Sequence, residues 1–374
     1  MPAPLLLGGL AIVLLCTASL PDGSLRAPHP IFWRASYGCM VVYLCCLLAL
    51  IALPTPAAVR AAMRDAVDDS LGVAVPAKSY GDDAGACTLT WTNVRGVVLD
   101  LFVLPHTFGW VCGSMLLRDV RLAWALSVAF EALELAFTHW QPNFQECWWD
   151  HVVVDVLLCN AAGIWAGQWL LRRCGARAFD WLGWGSSADA ADGRGGPSGA
   201  AATTTTTTTV AAPTVAAVVA AAAAAPGPVA MRSARRFCAV VLLLCAISLM
   251  MLNAFFLKAA LWVPSEHALN VWRLLLWYGT APFAMVEYYA LVTAARGRGA
   301  ALAPKLRKLW RVALCGAVIA AEAALCFKMR ADTFAAPFPP AVLVLGAGIG
   351  GSTLLWAAAL YRRAGWDPKL GVED

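Results

Sequence analysis

Long apolar stretches separated by shorter polar connections recur along the chain, near 4–20, 37–53, 95–116, 121–139, 150–171, 236–259, 271–294, 309–328 and 339–361. Each approaches the roughly 20 residues that a helix needs to cross the hydrocarbon of a bilayer. The pattern predicts an all-α polytopic membrane protein with about nine transmembrane helices. The first stretch is short enough to be mistaken for a signal peptide, but it lacks a basic start and a small-residue cleavage site, so it is read as a span. One segment breaks the pattern. From 185 to 233 the chain turns to Gly, Ser, Ala and Pro, with consecutive threonines from Thr203 to Thr209. Its Ala/Val run is bounded by Pro213 and Pro226, so a disordered cytoplasmic linker between helices five and six is expected. The expected division is a five-helix region over 1–184 that carries the polar constellation below, the linker over 185–233, a four-helix region over 234–363 and a cytoplasmic tail over 364–374. The connection from Pro54 to Asn93 has mixed charges and predicts a short amphipathic helix lying on the surface.

Composition agrees with a membrane. Of 374 residues, 60% are hydrophobic and 14% charged, against roughly half and a quarter in a soluble domain. The net charge of +5 decides little, but its placement sets an orientation. With the N-terminus outside, 20 of the 28 Lys and Arg fall on the cytoplasmic side: Arg26, Arg34, Arg118, Arg121, those from Arg172 to Arg236 and from Arg296 to Arg311, Arg362, Arg363 and Lys369. The positive-inside bias then predicts a cytoplasmic C-terminus and puts 140–149 in the lumen. The 13 cysteines lie mostly in apolar stretches, where each reads as a small apolar residue. No C-x-x-C pair supports zinc. Cys87 and Cys147 share the lumenal side, which leaves a disulfide between them open. The chain has no Walker loop and no G-x-S-x-G, so nucleotides and nucleic acid fall outside the expected partners.

One polar string stands between apolar runs: EALELAFTHWQPNFQECWWDHVVVD, from Glu131 to Asp155. Glu131 and Glu134 are three apart and share a face of the fourth helix. Glu146 and Asp150 lie at the lumenal start of the fifth helix, with Asp155 and Asn160 deeper in it. Asp100 and His106 enter the third helix from the same side. Four acids inside spans, Asp100, Glu131, Glu134 and Asp155, would together cost on the order of 10 kcal/mol on the insertion scale. Arg95 is the sole basic residue expected near them. The expected counter-charge is therefore a cation. Carboxylates with an amide suit calcium and not zinc or copper, and magnesium keeps more of its waters. His106, beside Pro105, is expected to act as a general base, because imidazole titrates near working pH. His139 and His151 are expected at the water interface, and Trp148 and Trp149 in the aromatic belt at head-group depth.

The string FEALELAFTHWQPNFQECWWDHVVVDVLLCNAAGIW closely resembles the base-exchange phosphatidylserine synthases of eukaryotes. So do HPIFWR (His29 to Arg34), LDLFVLPHTFGW, LNAFFLK and the pattern from Thr280 to Ala290. The resemblance implies a transferase of the endoplasmic reticulum membrane whose active site faces the lumen. It would replace the choline or ethanolamine head group of phosphatidylcholine or phosphatidylethanolamine with L-serine, using calcium and no nucleotide. The family's polar residues carry over onto His106, Glu131, Glu134, Asn143, Glu146, Asp150, Asp155 and Asn160. In that reading Glu131, Glu134, Glu146, Asp150 and Asp155 hold calcium. His106, Glu131, Asn143 and Asn160 carry catalysis, and Asp100, Asn143 and Asn160 bind substrate. A homodimer is left open. The family usually has one more N-terminal span, and the linker replaces a more ordered, partly basic connection, so regulatory contacts there are not carried over.

Two other classes compete. A CDP-alcohol-type phosphatidyltransferase would need D-G-x-x-A-R followed by G-x-x-x-D-x-x-x-D, which the sequence lacks. A cation transporter would favour internal repeats and acids spread through the membrane depth. No repeat is visible, and the acids gather on one side.

Overall fold

The computed structural model describes residues 3–22, 29–73, 87–99, 103–181, 233–293 and 309–364. Among the described residues every regular element is helical. They are α1 (Ala3–Ser19), α2 (Pro30–Ala52), α3 (Pro56–Ala66), α4 (Trp91–Val98), α5 (Val103–Leu117) and α6 (Val120–Phe137). A 3₁₀ turn (Pro142–Phe144) and a π-helix (Asp150–Asn160) that continues as α7 (Ala161–Arg173) come next. Then follow α8 (Ala234–Leu261), α9 (Ala268–Thr293), α10 (Trp310–Met329), the short α11 (Ala331–Phe334) and α12 (Pro340–Ala364). The expected linker over 185–233 and tail over 364–374 lie almost wholly outside the described residues.

Five of these are long and apolar enough to cross a membrane: α2, the π-helix with α7, α8, α10 and α12 up to Arg362. The protein is thus a multi-pass membrane protein. The span expected near 95–116 is divided, among the described residues, into α4 and α5, which lie at 55° to each other and would together form a sixth, broken span. The three other expected spans are also helices, but they are shorter or more polar. Helix α1 has 17 residues, α6 contains Arg121, Glu131 and Glu134, and α9 contains Arg273 and Glu287. The amphipathic helix expected between Pro54 and Asn93 is α3. Its Val59 is fully buried, and its Arg60 donates to the Ala260 carbonyl at 3.1 Å.

The chain divides into two units. The first, Met1–Phe179 with Val241–Gly350, holds every polar cluster discussed below; the second comprises Asp180–Val240 and Gly351–Asp374. Helix starts in the first unit follow local chemistry. Pro30 opens α2 behind His29, whose Nδ1 accepts from the Ile31 amide at 3.2 Å. Asp119 caps α6 by accepting from the amides of Arg121 and Leu122. Between α5 and α6 the chain reverses in two residues, with Arg118 at φ 51° and its guanidinium 4.8 Å from the Phe179 ring centre.

The closest helix contact in the first unit is made by glycines. A Cβ on Gly163 would meet the Thr107 carbonyl oxygen at 2.5 Å and the Trp110 Cβ at 2.6 Å, and one on Gly167 would meet the Val111 oxygen at 2.6 Å. These two glycines, four apart on α7, let α5 lie directly against it, as small residues do in membranes. Ser114 adds polar contacts, donating to the Ile164 carbonyl at 3.1 Å and accepting from Gln168 at 3.0 Å. Gly163→Val should therefore push the helices apart and cost about 1–3 kcal/mol or more by overpacking, read as earlier thermal aggregation of the purified protein. Gly113→Ala, where a Cβ meets nothing within 4 Å, should leave that transition in place.

A second device braces the helices around it. Arg273 of α9 makes two 2.7 Å contacts to the fully buried Glu322 of α10. Tyr43 of α2 donates to the same carboxylate at 2.7 Å and Asn253 of α8 at 3.3 Å. Four helices thus share one satisfied ion pair, the arrangement that makes a charge tolerable in a membrane. Sequence reasoning did not identify this pair.

Candidate active site

Asp150, Asp155 and Asn160 are spaced by five. On an α-helix each such step swings about 140° around the axis, which would scatter them over different faces. Residues 150–160 form a π-helix instead, whose i→i+5 hydrogen bonding brings residues five apart to one side. That side meets α5 and α6. Glu131 and Glu134 of α6 are both buried, as are His151 and Asn160 of the π-helix.

Two linked networks result. In the first, His106 Nε2 lies 2.7 Å from Asn160 Oδ1, and His106 Nδ1 lies 3.6 Å from Asp155 Oδ1. The Asn160 amide donates to Ser127 Oγ at 2.9 Å and to Glu131 Oε1 at 3.3 Å. With its NH₂ spent on those acceptors, Asn160 presents its oxygen to His106. A neutral His106 would therefore carry its proton on Nε2 and turn Nδ1 toward Asp155. In the second network, His151 Nδ1 stands 3.1 Å from Glu131, 4.0 Å from Glu134 and 3.9 Å from Glu146. Glu131 belongs to both.

The placement of the expected residues is mixed. His106, Glu131, Glu134, Glu146, Asp155 and Asn160 converge. Asp150 starts the π-helix, half-buried. Asn143 lies on the 3₁₀ turn and makes no hydrogen bond to the cluster among the described residues. Asp100 lies outside the described residues. Arg330 pins the loop leading to that turn, donating to Gln141 Oε1 at 2.8 Å and to the Trp140 carbonyl at 3.0 Å.

Two aromatic residues, His151 and Trp149, depart from expectation. His151 is not at a water interface but 4% exposed among carboxylates, because the wider π turn rotates it inward. His139 packs between Trp140 and Phe338, each ring centre 4.9 Å away, with Nδ1 on the Ala136 carbonyl. Trp148 is exposed as a belt residue would be, but Trp149 is 2% exposed and packs with Cys147, Val154 and Cys159. The disulfide left open by the sequence is present, Cys87 to Cys147. It ties the chain before α4 to the residue following Glu146.

The donor chemistry fits a hard cation. Glu131, His151 and Asp155 each offer a ligand atom within 4.8 Å of the others, and Glu134 and Glu146 reach the same imidazole. Two imidazoles stand against four carboxylates, so the balance is negative and oxygen-rich. Outside the span, burial pushes the Glu146 carboxyl up to about 8, the charges of Asp155 and Asp150 adding to it and His151 opposing.

Comparison with known proteins gives a family. A family model described as Phosphatidyl serine synthase matches residues 28–330. The rice protein named CDP-diacylglycerol--serine O-phosphatidyltransferase 3 is 34% identical over 278 residues, which cover 73% of this chain and 62% of that protein. The Drosophila melanogaster Phosphatidylserine synthase is 30% identical over 325 residues, covering 86% of this chain and 59% of that one. The zebrafish Phosphatidylserine synthase 1 is 30% identical over 325 residues, covering 86% and 64%. The chain thus spans about three fifths of the length of these curated relatives.

Proposed function

The chain belongs to the phosphatidylserine synthase family, and from that premise we propose that it makes phosphatidylserine by calcium-dependent base exchange. L-serine would replace the choline or ethanolamine of a bilayer phospholipid. The observation that carries this reading is His106, held by Asn160 at one nitrogen and facing Asp155 with the other, at the edge of a buried carboxylate cluster.

His106 Nδ1 takes the proton of the serine hydroxyl, and Asp155 favours the imidazolium that results. The serine oxygen forms a bond to phosphorus while the bond to the choline or ethanolamine oxygen breaks, and His106 returns the proton to that leaving oxygen. One phosphodiester is lost and one gained, so no nucleotide is consumed. Glu131, Glu134, Glu146, Asp150 and Asp155 would hold calcium, and bound there it would offset the phosphate charge as a Lewis acid. Asn160 fixes the His106 tautomer, while Asn143 and Asp100 are assigned to serine. Nine spans, a site facing the lumen of the endoplasmic reticulum and a cytoplasmic linker complete the proposal. A glycosylation acceptor placed near Gln145 should then be modified and one near Thr206 should not; the reverse pattern overturns the orientation.

One finding favours a second reading: the name of the rice relative makes CDP-diacylglycerol its donor. With that donor, CMP would leave. The missing D-G-x-x-A-R motif speaks against it. Labelled serine given to purified protein with phosphatidylcholine, phosphatidylethanolamine or CDP-diacylglycerol, each alone, separates the two. Product from either of the first two supports exchange, product from the third alone overturns it, and no product from any overturns the enzyme reading.

A further inference from the structure

Helix α4 lies beside the carboxylate cluster and takes no part in the chemistry above. Trp91, Val94, Arg95, Val98 and Leu99, at helical spacing along one face, line an apolar cleft of about 180 Å³. Trp91 and Leu99 are 78% and 69% exposed. Val94, Val97 and Val98 pack against Cys147, Trp149, Val154 and Cys159. The Cys87–Cys147 disulfide fastens the chain on the same side. The helix is therefore fixed against the π-helix on one side and open on the other.

Apolar exposure is ordinary in a membrane protein, but a cation set within it is not. The Arg95 side chain is exposed and has no hydrogen-bond or ion-pair partner among the described residues. It stands four residues after Trp91, so the guanidinium and the indole are neighbours one turn apart. Each part of the face matches a part of a zwitterionic phospholipid. A guanidinium binds a phosphodiester through charge-assisted hydrogen bonds. An indole face takes a quaternary or primary ammonium. Val94, Val98 and Leu99 suit the start of an acyl chain, which free phosphate does not have.

We propose that this face of α4 is a docking subsite for the donor phospholipid, with Arg95 on its phosphodiester and Trp91 on its ammonium. It rests on the exchange reading, since a donor must reach His106 from the bilayer. The full chain in phosphatidylcholine nanodiscs, given a phosphatidylcholine analogue with a photoreactive acyl chain, should be labelled within 91–99. Arg95→Gln should lose that labelling and raise the lipid fraction giving half-maximal exchange about tenfold, the scale of one charge-assisted contact. Half-saturating serine should stay where it was. Arg95→Lys should recover most of both. Labelling indifferent to Arg95 overturns the subsite, and labelling lost with unchanged lipid dependence reduces it to a boundary lipid and overturns the donor role. Arg95-dependent labelling in a protein that exchanges no serine keeps the subsite and overturns the catalytic reading instead.

Discussion

Serine incorporation should vanish in EGTA, return on adding calcium, and return poorly with magnesium. The expectation comes from charge. Glu131 and Glu134 of α6 are buried, Asp155 of the π-helix brings a carboxylate oxygen within 4.8 Å of one on Glu131, and Glu146 approaches them through His151. Ionised together they would repel strongly, and the imidazoles alone cannot balance them. Glu131→Gln keeps the shape and can still accept from Asn160, but it removes one charge from the point where both networks meet. It should reduce activity at least about 100-fold, more than an outer-sphere change costs, while the protein elutes from a sizing column as before. Glu146 gives the effect a pH dependence. Its carboxyl, held up to about 8 mainly by burial, is mostly protonated at pH 7 and ionises as pH rises through 8. Proton and cation compete for the same oxygens, so half-activating calcium should fall between pH 7 and 8.5. Full activity in the chelator would sink the metal assignment.

The helices were legible in the sequence, and so was the meeting of α5, α6 and the following helix, because apolar length and the run of acids are both written in residue type. What escaped depended on backbone geometry or on distant pairing. A spacing of five from Asp150 to Asp155 to Asn160 is the one signal that hinted at a π-helix, and an α-helical reading treats it as misalignment. Missing that turn also misplaced His151, which an α-helical register leaves facing water. Pro105 was noticed as a neighbour of His106, while the 55° bend between α4 and α5 was not foreseen. The glycines at 163 and 167 carried the α5 contact in plain spacing. By contrast, Arg273 and Glu322 are 49 residues apart, and no local pattern joins them. Trp148 and Trp149 are identical in type, and only packing decides that one is exposed and the other buried.

His106→Ala should lower exchange by about 10²–10⁴-fold, the usual contribution of a general base, with calcium-induced thermal stabilisation kept because this side chain is not assigned as a ligand. His106→Gln should be equally inactive: it can still donate to Asn160 Oδ1, but it cannot take a proton. The neighbouring residues make the test specific. Asp155→Asn removes the carboxylate 3.6 Å from Nδ1 and should impair both catalysis and calcium stabilisation, since Asp155 is assigned to both. Asn160→Asp would offer His106 an acceptor but replace the amide that donates to Ser127 and Glu131; it should cost activity by adding a further negative charge to an already acidic pocket. His151→Ala should shift the calcium requirement, because its Nδ1 touches Glu131 and approaches Glu134 and Glu146. His139→Ala should leave exchange nearly intact, since its ring packs on Trp140 and Phe338 away from these contacts. An active His106→Ala beside a dead His151→Ala would move the base from α5 to the π-helix and leave His106 as a hydrogen-bonding partner of Asn160.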